Sequence, residues 1–205
     1  MLTIHHAPGT RGFRVIWLCE ELGHPYRVEK VDFSAAYRAS PEWRRMNPVG
    51  KVPVMVDGEV TIFESGAMVQ HILDHHGHGR LQPPRDDPGH ALFLQWCWFA
   101  EATFGRATGE LANHKRAFAG ALKDDVMAEM RDRARSCLAA LDQALATRTY
   151  LVGETFTAAD VMMGYTLQSF DRHVGDPHPA HVAAWWQRVS ARGAYRRALD
   201  IDRGL

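Results

Sequence analysis

The sequence predicts an α+β domain over residues 1–78, a linker over 79–89 and an all-helical domain over 90–205. Three observations carry this division. Strand-like alternation and an Asp57-Gly58 turn signal occur only in the first part. Prolines, glycines and charges crowd the stretch from Gly77 to Pro88, where regular structure has no foothold. Beyond it the apolar residues recur at helical spacing, with almost no strand signal.

Leu2 and Ile4 alternate with Thr3 and His5, the period of a short first strand. The turn Ala7-Pro8-Gly9-Thr10 follows, and from Val15 the residues Val15, Leu18, Cys19 and Leu22 share one helical face that Gly23 and Pro25 end. Tyr26 to Phe33, rich in valine and aromatics, reads as a second strand, and the polar stretch after it shows little pattern. Asp57-Gly58 lies between the valine-rich runs Val54-Met55-Val56 and Glu59-Val60-Thr61-Ile62, which predicts a hairpin closed by a type I′ turn with both residues at positive φ. Ser65 then reads as the N-cap of a helix carrying Met68, Val69, Ile72 and Leu73, stopped at Gly77. A strand-helix-strand unit, a hairpin and a closing helix make a mixed sheet covered by helices, in outline a thioredoxin-like domain.

In the second part a helix is predicted from His90 to about Lys115, and another carries Val126, Met130, Ala134, Cys137, Leu138, Leu141 and Leu145 on one stripe. Phe156-Thr157-Ala158-Ala159-Asp160-Val161 combines a capping box at Thr157 and Asp160 with a staple between Phe156 and Val161, so a helix begins there. Asp176-Pro177-His178-Pro179 breaks it, and Val182, Trp185, Trp186 and Val189 begin a last helix ending near Gly193.

The 205 residues bury roughly 70% of the unfolded chain's surface by size scaling. A 46% hydrophobic and 23% charged composition excludes a disordered or collagen-like chain. The 24 Lys and Arg cancel the 24 Asp and Glu, so neither nucleic acid nor an anionic membrane is expected as a partner. Cys19, Cys97 and Cys137 are odd in number and far apart, which argues against a disulfide framework and for a reducing compartment. No leader or spanning stretch is read, and a cytoplasmic protein is expected.

Four features of the first domain point to one ligand. Thr10 stands at the entrance of the first helix, where hydroxyl, amides and helix dipole favour an anion. Val52-Pro53 opens the third strand, and a proline there, especially in cis, turns the preceding backbone toward an extended peptide. At the start of the second helix Glu64 suits an ammonium group, while Ser65 and the free amides suit a carboxylate; Lys51 suits a second carboxylate. Glutathione carries these groups in that order. Lowering a thiol pKa by two units from ~8.5 requires about 2.7 kcal/mol. One hydrogen bond to a charged group supplies roughly 1.5 to 3 kcal/mol and a helix terminus ~0.3 to 1.

The stretch Ala7 to Gly23 resembles the opening of bacterial cytosolic glutathione S-transferases. Asn47-Pro48-Val49-Gly50-Lys51-Val52-Pro53 resembles their cis-proline loop, Glu64-Ser65 their γ-glutamyl motif and Phe156 to Asp160 their second-domain capping box. The resemblance covers essentially the whole chain. It implies a thioredoxin-like N-terminal domain, an all-helical C-terminal domain, a homodimer, and glutathione as co-substrate for a small hydrophobic electrophile. By position it implies Thr10 as the activating hydroxyl, Val52 as the backbone contact to the cysteinyl part, Lys51 as a glycyl contact, and Glu64 and Ser65 as γ-glutamyl contacts. The family usually has Tyr, Ser or Cys in the activating role. Threonine is stiffer at χ1, so Gly9 or Arg11 is the alternative donor. Glutathione-dependent peroxide or disulfide reduction, or ligand binding without catalysis, are the other functions compatible with these residues.

Other clusters read more plainly. His71, Asp74, His75, His76 and His78 crowd a helix end, where imidazoles complement the dipole; no metal site is expected from them. Cys97 and Cys137 read as small buried hydrophobes, and Arg131 to Arg135 as a solvated face. Phe99, Thr103 and Ala107 recur every four residues, with Phe104 beside them, as an electrophile pocket or as core.

Overall fold

The computed structural model describes all 205 residues. They form two compact units, Met1–Leu81 with Ala191–Leu205, and Gln82–Ser190. The last fifteen residues thus cluster with the first unit, whereas the sequence places them in the helical domain.

In the first unit β1 (Leu2–His6) is followed by α1 (Gly12–Leu22), β2 (Tyr26–Lys30), α2 (Ala35–Ala39), α3 (Pro41–Met46), β3 (Val54–Asp57), β4 (Val60–Phe63) and α4 (Ser65–His76). The sheet order is β2-β1-β3-β4, with β1 parallel to β2 and the other pairings antiparallel. Leu2, Ile4, Val54 and Met55 are fully buried; α1 buries Val15, Ile16, Trp17, Leu18 and Cys19. Gly23 ends α1 in the left-handed conformation, φ 62°, and its N–H reaches the last turn.

Three details differ from the sequence reading. The second strand stops at Lys30, because Asp32 and Ser34 begin a cap instead: the Ser34 side chain accepts the Tyr37 N–H and starts α2. Ser40 does the same for Trp43, with Pro41 in the first turn of α3. The weakly patterned stretch is therefore two short capped helices, and their product is one buried side chain, Trp43. At the hairpin, Asp57 pairs with Val60, so the loop residues are Gly58 and Glu59, and of these only Gly58 has positive φ, 58°. A glycine in the first loop position meets the same demand one residue later.

The helix α10 (Gly193–Gly204) joins this unit through α1. Tyr195 packs edge-on against Trp17 and Phe13, at 5.0 and 5.8 Å between ring centroids. Arg192 donates twice to the Glu21 carboxylate, both at 2.7 Å, and Arg197 donates to Glu20. A bidentate guanidinium on a nearly buried carboxylate fixes direction as well as distance.

The second unit contains α5 (Gly89–Trp98), a π-helical turn (Phe99–Thr103), α6 (Phe104–Ala117), α7 (Asp124–Leu145), α8 (Ala158–His173) and α9 (Ala180–Ser190). The expected helix from His90 to Lys115 is thus interrupted. Phe104 N–H bonds both the Ala100 and Phe99 carbonyls, and the Thr166 hydroxyl donates to the Ala100 carbonyl at 2.8 Å. α8 opens with the expected capping box, Thr157 N–H donating to Asp160 Oδ2 at 2.9 Å. Its core holds Phe93, Phe104, Leu111, Leu141, Phe170 and Trp185. Trp186 is half-buried; so is Cys97, which the sequence reads as buried, because it lies off the narrow buried stripe of Phe93 and Trp96.

Candidate active site

The chain leaves β1 at His6 and turns through Ala7 to Thr10 before α1 begins. Gly9 has φ 71°, and its N–H donates to the Asp202 carboxylate of α10, 3.0 Å from Oδ1 and 3.2 Å from Oδ2. Thr10 N–H and its hydroxyl both donate to the Ala7 carbonyl, at 3.2 and 2.7 Å. Phe13 N–H bonds the Thr10 carbonyl and Arg14 N–H the Arg11 carbonyl, which closes the first turn tightly. Thr10 and Arg11 are half-buried at this helix start, and Arg11 is the N-cap without a side-chain cap bond.

A buried histidine ring lies behind Thr10. His6 is fully buried. Its Nε2 is 2.7 Å from Asp202 Oδ1, and its Nδ1 is 3.3 Å from Thr10 Oγ1. Gly12 makes room for the ring: a Cβ there would stand 2.3 Å from His6 Nδ1 and 3.1 Å from Pro53 Cβ. Gly12→Ala is expected to cost about 2 kcal/mol in chemical unfolding, the magnitude of core overpacking.

The loop before β3 is held from below. Asn47 is buried; its Nδ2 donates to the Lys51 carbonyl at 3.0 Å and its Oδ1 accepts the Val49 N–H at 3.0 Å. Trp43 Nε1 donates to the same Lys51 carbonyl at 3.2 Å. Gly50 has φ 68°, with the Arg38 carbonyl 2.5 Å from where a Cβ would be. The Val52-Pro53 peptide is cis. Val52 packs with Tyr37 and Met46 against a small cluster of Val31, Trp43 and Val54, and the Lys51 side chain is exposed.

Glu64 and Ser65 follow β4. Glu64 is exposed and has φ 77° and ψ 108°, a conformation that side-chain residues adopt at a cost of roughly 1 to 3 kcal/mol. Glu64, not Ser65, is the N-cap of α4, a correction to the sequence reading. Ser65 is the first helical residue, 3% exposed, and its hydroxyl accepts from Nη1 of Arg14 at 3.1 Å. Arg14 is fully buried. The start of α4 therefore combines first-turn amides, a hydroxyl and a guanidinium, all of which favour a bound carboxylate.

The structure thus gathers Gly9, Thr10 and Arg11 at the start of α1, Lys51 to Pro53 before β3, and Glu64 and Ser65 at the start of α4, all within the first unit. The residues that sequence reasoning passed over are His6, Arg14, Trp43, Asn47 and Asp202. Asn47 had a local signal, an amide two residues ahead of the Val49 N–H it caps. Arg14 and Asp202 had none, since their partners Ser65 and His6 lie 51 and 196 residues away.

In the second unit Phe104 is fully buried against Phe170, at 5.7 Å, and Ala107 is buried, so both belong to the core. Phe99 is half-buried and Thr103 exposed. Cys19 is buried, and burial pushes its thiol up to about 12, so it is no nucleophile. At the far end of the first unit Asp57 Oδ2 accepts from His71 Nε2 at 2.9 Å and His76 Nε2 at 2.7 Å, which holds the carboxyl below its usual value. His75, one turn after His71, makes only a ring contact with it.

Residues 1–74 match the family model of the glutathione S-transferase N-terminal domain and residues 124–202 that of the C-terminal domain. Glutathione S-transferase 1 of Schizosaccharomyces pombe is 30% identical over 160 residues, covering 76% of this chain and 69% of that protein. Glutathione S-transferase 3 of the same yeast is 28% identical over 216 residues, 98% of this chain and 87% of that protein. The crystal structure of the theta class glutathione S-transferase from Xanthomonas axonopodis pv. citri, with glutathione bound, aligns at a TM-score of 0.83 and 26% identity, covering 97% of this chain and 96% of that one.

Proposed function

Because the chain belongs to the glutathione S-transferase family, we propose that the three loci of the first unit bind glutathione lengthwise and present its thiolate to a small apolar electrophile. The chain is a glutathione transferase with glutathione as co-substrate. The observation that carries the residue assignment is Glu64: a charged residue held at φ 77° directly before a buried serine that accepts from a buried arginine. Backbone strain of this kind persists where the surroundings over-determine it, and here it falls on the residue that caps α4. The glutamyl ammonium goes to Glu64, its carboxylate to Ser65 and the first-turn amides, the cysteinyl backbone to Val52 before cis-Pro53, and the glycyl carboxylate to Lys51. The sulfur comes to the start of α1, with Thr10 as donor.

Rate is gained by stabilising the thiolate and by holding both reactants together. Within the second unit Phe99 and Thr103 keep accessible surface, and Trp98 beside them is 66% exposed. A second copy of the chain is the proposed partner, supported by Val60 and Phe63, apolar side chains left open on the edge strand β4. No helix is long and apolar enough to cross a membrane.

Titration calorimetry with glutathione tests the reading directly: saturable binding is expected, and its absence from folded protein overturns it. Glu64→Gly sharpens the test. It removes the ammonium contact and relieves the strained φ, so affinity is expected to fall about 10-fold, while unfolding stability rises by about 1 kcal/mol. Unchanged affinity together with lost stability would show that Glu64 serves the fold alone.

A further inference from the structure

We propose that His6, held by Asp202, takes the thiol proton of glutathione through the hydroxyl of Thr10. This rests on the proposed binding of glutathione at the start of α1. The three side chains form one line: the Asp202 carboxylate 2.7 Å from His6 Nε2, and His6 Nδ1 3.3 Å from Thr10 Oγ1. A carboxylate only accepts, so Nε2 carries the hydrogen in the neutral ring and Nδ1 presents its lone pair to Thr10. The ring is fully buried, and Thr10 is half-buried at the expected sulfur site. A proton therefore passes between His6 and a bound ligand by way of the Thr10 hydroxyl. Gly12 serves the same arrangement, since any side chain there would occupy the space of Nδ1.

In the resting chain the Thr10 hydroxyl hydrogen points to the Ala7 carbonyl, 2.7 Å away. Rotation about Cβ–Oγ1 swings it to His6 Nδ1 without moving a heavy atom. When glutathione binds, its S–H bond breaks as that proton forms a new bond to Thr10 Oγ1, and the original Oγ1–H proton passes to Nδ1. The sulfur keeps the electron pair as a thiolate. His6 becomes an imidazolium against the Asp202 carboxylate, and the total charge of the complex is unchanged. The product state satisfies every group in the line: Nδ1–H donates to Oγ1, whose own hydrogen donates to the thiolate. After conjugation the proton returns through Thr10 to the leaving group or to water. Asp202 is a positioning residue, because it acts through His6; its bond to the Gly9 N–H also ties the turn to α10.

The direct test is nitrogen NMR of the imidazoles in the unaltered protein, with thiolate absorbance recorded on the same samples. Glutathione is expected to convert His6 from a ring protonated at Nε2 to one protonated at both nitrogens, in step with the appearance of thiolate. Asp202→Asn and His6→Gln are expected to keep glutathione affinity within about 3-fold while thiolate per bound glutathione falls about 10-fold or more and kcat about 100-fold. The proposal is overturned if thiolate forms while His6 stays singly protonated, or if the variants lose affinity and stability but keep the parent's thiolate per bound glutathione, the pattern of a merely structural pair. In either case calorimetry still shows binding, and the functional reading stands. Absence of binding by the unaltered protein removes that reading and the relay together.

Discussion

Asp160→Ala is expected to lower the unfolding free energy by about 3 to 5 kcal/mol. The Asp160 carboxylate is fully buried. It accepts the Leu151 N–H at 3.1 Å and Trp185 Nε1–H at 2.9 Å on Oδ1, and the Thr157 N–H at 2.9 Å on Oδ2. One side chain thus satisfies the start of α8, the loop before it and an indole of α9. Truncation leaves those donors, and the Thr157 hydroxyl that also donates to Oδ2 at 3.3 Å, without their acceptor, each worth roughly 1 to 3 kcal/mol. Relief of the buried charge offsets part of that sum.

The same charge has a pH signature. Burial pushes the Asp160 carboxyl up to about 6 from the model-peptide 3.8, with the hydrogen bonds pulling the other way. Between these values the folded chain holds a proton that the unfolded chain has released. Stability from this group is therefore greatest below about 4, falls as pH rises toward 6, and is level above. Asp160→Asn keeps most of the shape and removes the titration. The difference in denaturation free energy between the parent and Asp160→Asn is expected to change over pH 4 to 6 and to be constant beyond it; a flat difference throughout contradicts the assignment.

The largest catalytic effect is expected at Thr10. Thr10→Val keeps the β-branched shape and removes only the hydroxyl that stands within reach of His6 Nδ1 at the α1 start. Removing one donor aimed at a developing anion typically costs 100- to 1,000-fold. Accordingly kcat/KM with a chlorinated aromatic is expected to fall about 100-fold while glutathione affinity in calorimetry stays within about 3-fold, and Thr10→Ser is expected to restore most of the rate. Thiolate absorbance that survives in Thr10→Val would move the donor to the backbone at residues 9 to 11.

Much of this architecture was legible locally. Period-2 alternation located β1, Gly23 ended α1, and the Thr157-Asp160 box began α8, because each signal lies within a few residues of its consequence. The segments proposed as the site were legible as local structure for the same reason: a cis-proline loop and an exposed glutamate before a serine are short segments that the chain order brings to strand and helix starts. Local reading failed where two local signals compete. Asp57-Gly58 admits two turn registers, and pairing with β4 chose the one that frees Asp57 for His71 and His76. Ser65 looked like a cap, and the buried Arg14 claimed its hydroxyl instead.

By itself the sequence determined β1, α1, the hairpin strands, α4 and the start of α8, since capping, turn chemistry and periodicity act over one or two turns of chain, while α2, α3, α10 and the break at Phe99–Thr103 carried no local signal of that strength. Tertiary structure alone decided that the final helix belongs with the first unit and that Asp202 stands behind His6. Those partners are 196 residues apart, and no spacing encodes such a pair. It is fixed by the fit of Tyr195 against Phe13 and Trp17 and by Arg192 on Glu21, contacts between segments more than 170 residues apart.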